Sequence, residues 1–157
     1  LEAQRGCPCL TIKYRSDMIT MGYASIFAFF YVWLSLNVIR TRGVVKQALG
    51  DGGDSKLQQR IRAHANFAEY VPITLLLLIL LEQQQLSNWL LHGLAITLLI
   101  ARLLHAYSVL VHEKYKDGKL LTSVKFRVRG MQLTLAVIII AALCALGLVI
   151  QHIIGNV

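Results

Sequence analysis

Arg60-Ile61-Arg62-Ala63-His64-Ala65-Asn66-Phe67-Ala68-Glu69-Tyr70-Val71-Pro72-Ile73-Thr74 runs directly into Leu75-Leu76-Leu77-Leu78-Ile79-Leu80-Leu81. An apolar run of this kind belongs in a bilayer, and its head carries ionisable groups into the membrane. Charge at membrane depth is costly, so such residues face the bundle interior and mark a binding or reaction site. The stretch therefore predicts both the fold class, an all-α membrane protein, and the place to look for function.

Working outward, three further stretches are long enough to cross a bilayer, which takes roughly 20 residues. Residues 19–39 carry no charge, residues 87–111 are apolar apart from His92, Arg102 and His105, and residues 131–150 are again uncharged. Hydrophobic residues make up 56% of the 157 and charged residues 15%, with a mean hydropathy of +0.58. A soluble domain carries more charge and less continuous apolar sequence. The expected architecture is one four-helix transmembrane domain over residues 19–154, with short connections and no room for a soluble domain.

The formal net charge is +8, yet its distribution argues against nucleic acid. Of the sixteen Lys and Arg, twelve flank the first and third connections: Arg40, Arg42, Lys46, Lys56, Arg60 and Arg62, then Lys114, Lys116, Lys119, Lys125, Arg127 and Arg129. The second connection, residues 82–88, has no basic residue, and neither does the tail after Ile150. Positive loops stay cytoplasmic, which puts connections one and three inside and both termini outside a bacterial inner membrane. Arg5, Lys13 and Arg15 pull the other way. Topology and attraction to anionic membrane lipid account for the basic loops.

Residues 1–18 read as an N-terminal arm: a tag, an extension or a disordered segment. The apolar run from Ile19 to Ile39 is too long for a signal-peptide core and reads as a retained helix. Cys7 and Cys9, separated by Pro8, match neither a mutual disulfide nor a zinc spacing. Cys144 reads as a small thiol buried in an apolar helix. In the first connection, Gly50-Asp51-Gly52-Gly53-Asp54 is a turn cluster. It lacks the further ligands of a calcium loop, so no metal site is expected, and Ser55 is the expected cap of the helix that follows.

Residues 62, 66 and 69 are spaced i, i+4, i+7, so Arg62, Asn66 and Glu69 share one face of the second helix. His64 points elsewhere, toward another helix or a subunit boundary. Arg102 and His105 share a face of the third. At 1.5 Å per residue, Glu69 lies roughly 15 Å along its helix, and Arg102 falls at similar depth. Glu69 and Arg102 are expected intramembrane partners, neutralising each other. Pro72 is expected to kink the helix beside them. Among the cations opening the fourth helix, Arg129 is best placed to turn inward, beside Gly130, which allows close approach. Arg40 is at comparable height. Such a site suits a small, polyanionic, amine-bearing ligand.

The run from Arg60 to Pro72 resembles the signature of the MAPEG family, membrane-associated proteins of eicosanoid and glutathione metabolism. The resemblance extends through Asn37-Val38-Ile39-Arg40-Thr41-Arg42, Gly50-Asp51-Gly52-Gly53, Ala101-Arg102-Leu103-Leu104-His105 and Phe126-Arg127-Val128-Arg129-Gly130-Met131, and so over about residues 20–150. It implies a homotrimer of four-helix protomers with glutathione as cosubstrate between subunits near the cytoplasmic face. By position, Arg40, Arg62, Asn66, Glu69 and His105 match glutathione contacts, and Arg129 matches the cation that stabilises its thiolate. The implied activity is that of a glutathione transferase or peroxidase, acting on hydrophobic or lipid electrophiles.

The match has departures. Ala65 stands where prostaglandin-E-synthase-like members carry arginine, and Val109 and Leu133 stand where well-known enzymes carry tyrosines. Eicosanoid specificity therefore does not transfer. A different class of function, a non-catalytic lipid-binding or partner-binding protein of the same family, is the alternative. The polar set Arg62, Asn66, Glu69 and Arg129 favours the enzyme, since a lipid binder has little use for it. A transporter would need broken helices or repeat symmetry, and the sequence has neither.

Overall fold

The computed structural model describes residues 18–116 and 119–155. Cys7, Cys9 and all of the expected arm except Met18 lie outside them. The chain forms an all-α, four-helix transmembrane bundle: α1 (Ile19–Val45), α2 (Ser55–Gln83), α3 (Asn88–Tyr107), a π-helical turn (Ser108–His112) that continues α3, and α4 (Lys125–Gly155). All four are long and apolar enough to cross a membrane. A two-residue hairpin, Tyr115–Lys116 (β1) against Lys119–Leu120 (β2), lies in the third connection and has no counterpart in the sequence reading.

Each helix buries one face, narrow in α1, α2 and α4 and broader in α3, where Ala95, Arg102 and Ala106 flank the central row. In α2 it runs Phe67, Val71, Thr74, Leu78, Leu81; in α3 Leu91, Leu94, Leu98, Ala101, His105; in α4 Gly130, Thr134, Val137, Ala141. Alternating steps of three and four are the spacing of helices that pack at shallow angles in a bundle. The opposite faces stay apolar and exposed: Phe29 is 79% and Ile139 57% exposed. In water that would be a liability, and in lipid it is the solvated surface. Small residues, Ala95, Ala101, Gly130 and Ala141, sit in the buried stripes of α3 and α4, where close backbone approach replaces the hydrophobic drive that lipid does not provide.

Helix ends are handled by side chains. The Glu82 carboxylate, at the far end of α2, accepts from the N–H groups of Ile19 (2.7 Å) and Thr20 (3.0 Å), which closes the first turn of α1. The α2 cap is Asp54, whose Oδ1 accepts from Leu57 N at 2.6 Å. Ser55, expected in that role, is instead the first helical residue. Asp54 is extended at φ −78° and ψ 113°, and its carboxylate carries a full charge at the positive helix end. In the preceding turn Gly50, Gly52 and Gly53 all have positive φ. Arg42 Nη1 donates to the carbonyls of Gln47, Ala48 and Gly50, so one guanidinium organises the first connection. Helix α2 passes unbroken through Pro72.

Candidate functional site

A cleft of about 410 Å³ opens between α2, α3 and α4 at the end of the bundle that carries the two basic connections. Arg62, Asn66 and Glu69 line it from one face of α2, and His105 lines it from α3. Four residues placed by helical spacing therefore converge in space. Val109, Arg127, Met131 and Gln132 complete most of the wall.

Arg102 does not line the cleft. It is 2% exposed and sits behind it. Its Nη1 donates to Asn66 Oδ1 at 2.7 Å; its Nη2 donates to Gly130 O at 3.3 Å and to Thr134 Oγ1. The guanidinium also lies 5.8 Å from the Tyr70 ring centroid. The expected ion pair with Glu69 does not form. Neutral acceptors on α2 and α4 take up the fork, and Glu69 stays exposed on the cleft side. One consequence is chemical: with its oxygen held by Arg102, Asn66 presents its NH2 as a donor for a ligand. The Glu69 carboxylate, with no cation paired to it among the described residues, is available for an amine.

Helix α4 packs so closely on α3 that a Cβ added at Gly130 would lie 2.7 Å from Ala101 O and 3.0 Å from His105 N. Glycine at 130 is a packing requirement, and it brings the α4 carbonyl within reach of Arg102. This close approach also decides which cation faces the cleft. Arg127, Met131 and Thr134 follow i, i+4, i+7 on the inward side, so Arg127 lines the cleft. Arg129 is exposed and outside it, as is Arg40 on α1. The chain thus gathers Arg62, Asn66, Glu69 and His105, but neither Arg40 nor Arg129.

Arg127 is held in place. Its Nη1 donates to Glu113 Oε2 at 3.1 Å, and the Glu113 side chain is fully buried. Ser108 Oγ donates to Glu113 Oε1 at 3.1 Å and Tyr115 OH to Oε2 at 2.9 Å. Burial, with the Glu113 contact adding to it, pushes the Tyr115 phenol above its usual value. The sequence signals neither this hub nor Arg127's role, since Glu113 and Arg127 lie 14 residues apart across a connection. His64 stacks on Tyr31 of α1 with ring centroids 4.7 Å apart, and so faces a neighbouring helix. Cys144 is half-buried against the core, with a free thiol.

The chain is similar to the Inner membrane protein YecN of Escherichia coli K12, 39% identical over 90 residues, which cover 57% of this chain and 69% of that protein. The protein of the same name in Escherichia coli O6:H1 matches to the same extent. Residues 20–149 match the family model described as MAPEG family, four helices and cleft included. This chain belongs to the MAPEG family.

Proposed function

We propose that the protein is a glutathione-dependent membrane enzyme of transferase or peroxidase type, acting on hydrophobic electrophiles. The observation that carries this reading is the cleft that unites Arg62, Asn66, Glu69 and His105. The donor set fits the cosubstrate. Glutathione has two carboxylates and one ammonium, and the cleft offers Arg62 and Arg127 for the former and Glu69 for the latter. Its volume of about 410 Å³ is within the usual range for a small-molecule site.

Glutathione supplies the sulfur nucleophile, so the chain needs no reactive cysteine. Arg62 binds a carboxylate, Asn66 donates to the peptide backbone and Glu69 orients the amine. Arg129 holds the sulfur as thiolate, the reactive form, because a nearby guanidinium favours the anion. Arg40 and Arg129 lie outside the cleft of one protomer, which supports assembly as a homotrimer with sites at the seams between subunits. The relative named as an inner membrane protein supports a multi-pass location in the bacterial inner membrane, and the basic connections support a cytoplasmic opening of the cleft.

Glutathione titrated into detergent-solubilised protein should bind saturably and produce a thiolate absorbance near neutral pH. Arg129→Ala is expected to abolish the absorbance while Arg127→Ala retains it. Glu69→Gln should weaken binding roughly tenfold, the scale of one charge-assisted hydrogen bond. Absence of binding by the unmodified protein would move the assignment to a non-catalytic lipid or partner binder.

A further inference from the structure

A second and larger cleft, about 630 Å³, lies at the same end of the bundle, between α1, the start of α2 and the segment leading into the hairpin. Its lining includes three cations, Lys56, Arg60 and Lys114, and one acid, Glu113. The acid is already spent. Its side chain is fully buried and both oxygens are occupied by Ser108, Tyr115 and Arg127. Among the described residues, none of the three cations pairs with a carboxylate. Arg60 is anchored through Nη1 on Thr41 Oγ1, and Gln59 Nε2 donates to Glu113 O at 2.8 Å. That bond ties α2 to the segment bearing Lys114, so the cations share one cleft by construction. Like charges gathered around one cleft repel each other, and an anion between them relieves that repulsion.

The wall also has an apolar side. Trp33, from the middle of α1, and Val111 line it, 49% and 62% exposed, and a tryptophan offers a large apolar ring with one polar N–H. A cleft lined by both cations and apolar side chains suits an amphiphilic anion.

We propose that this cleft is a phosphate-binding site, distinct from the one formed by Arg62, Asn66 and Glu69, and that it seats the headgroup phosphate of an anionic glycerophospholipid. A soluble phosphate ester offers the same group without the apolar tail. The proposal does not depend on glutathione chemistry.

Three probes separate the possibilities: dihexanoyl phosphatidylglycerol, dihexanoyl phosphatidylcholine and glycerol 1-phosphate, each titrated into protein in an uncharged detergent while its melting temperature is followed. Phosphatidylglycerol should raise the melting temperature saturably, and phosphatidylcholine, with no net charge, should not. The double variant Lys56→Gln/Lys114→Gln should bind phosphatidylglycerol roughly thirtyfold more weakly, and Lys114→Gln alone about fivefold, from the usual contribution of a cation near an anionic headgroup. Both lysines are exposed, so the variants should fold as the parent does and bind glutathione unchanged. Glycerol 1-phosphate binding as tightly as the lipid would keep the site and assign it to soluble phosphate esters. Equal binding by the single and double variants and the parent, equal shifts with the two lipids, or no saturable shift with either phosphate would overturn it.

Discussion

Replacing Arg102 with alanine should lower stability by about 3 kcal/mol and weaken glutathione binding at least tenfold, the two effects having separable causes. The stability loss comes from emptying a site that is 2% exposed, in line with large-to-small changes in packed interiors. The binding loss comes from Asn66. Without the Nη1 contact at 2.7 Å, its amide is free to rotate, and one charge-assisted bond is worth about 1.5–3 kcal/mol. Arg102→Met separates the two. Methionine refills most of the volume and removes the cost of burying a charge, so stability should return toward that of the parent. The Asn66 anchor stays lost, so binding should remain as weak as in the alanine variant. Melting curves and glutathione titrations on the two variants check this; Arg102→Met binding at parental affinity would show that Asn66 needs no anchor.

At Gly130 the expected result is a destabilisation of about 1–3 kcal/mol on substitution by alanine, the usual cost of overpacking. Intrinsic propensity predicts the opposite sign, since glycine inside a helix is worse than alanine by about 1 kcal/mol. The clash decides. An added methyl would meet Ala101 O at 2.7 Å and His105 N at 3.0 Å, and both are main-chain atoms that cannot swing away. Valine at the same place should prevent assembly of the bundle at ordinary temperature. Gly147 is the control: nothing lies within 4 Å of its would-be Cβ, so Gly147→Ala should hold or raise the melting temperature. Equal behaviour at the two glycines would refute the close packing of α3 on α4.

Periodicity alone carried much of this. The four spans were legible as apolar runs, and the i, i+4, i+7 spacing of Arg62, Asn66 and Glu69 placed them on a shared face that the structure turns into one cleft. Partners across helices were not legible. Depth matched Glu69 with Arg102, but the guanidinium meets Asn66 nearly one turn away and then reaches α4. Spacing cannot tell a carboxylate partner from an amide on the same face. Arg127 and Arg129 differ by two residues, about 200° around a helix, so choosing between them required the facing of Gly130. The Glu113 hub depends on how a π-helical turn and a hairpin fold back on α4, and no local pattern encodes it. The cap at Asp54 rather than Ser55 was a one-residue matter, within the ordinary latitude of helix ends.

The enclosed guanidinium of Arg102 also constrains biogenesis. On an isolated third segment, it costs about 3 kcal/mol at mid-membrane. Its acceptors Asn66 and Thr134 arrive on segments made before and after it. The third segment is therefore only half satisfied until the last has been synthesised, and a nascent chain stopped after residue 124 should be cleared by membrane proteases faster than the full chain. Pulse–chase of the two would reveal the difference; equal lifetimes would mean that Asn66 alone shelters the charge during insertion.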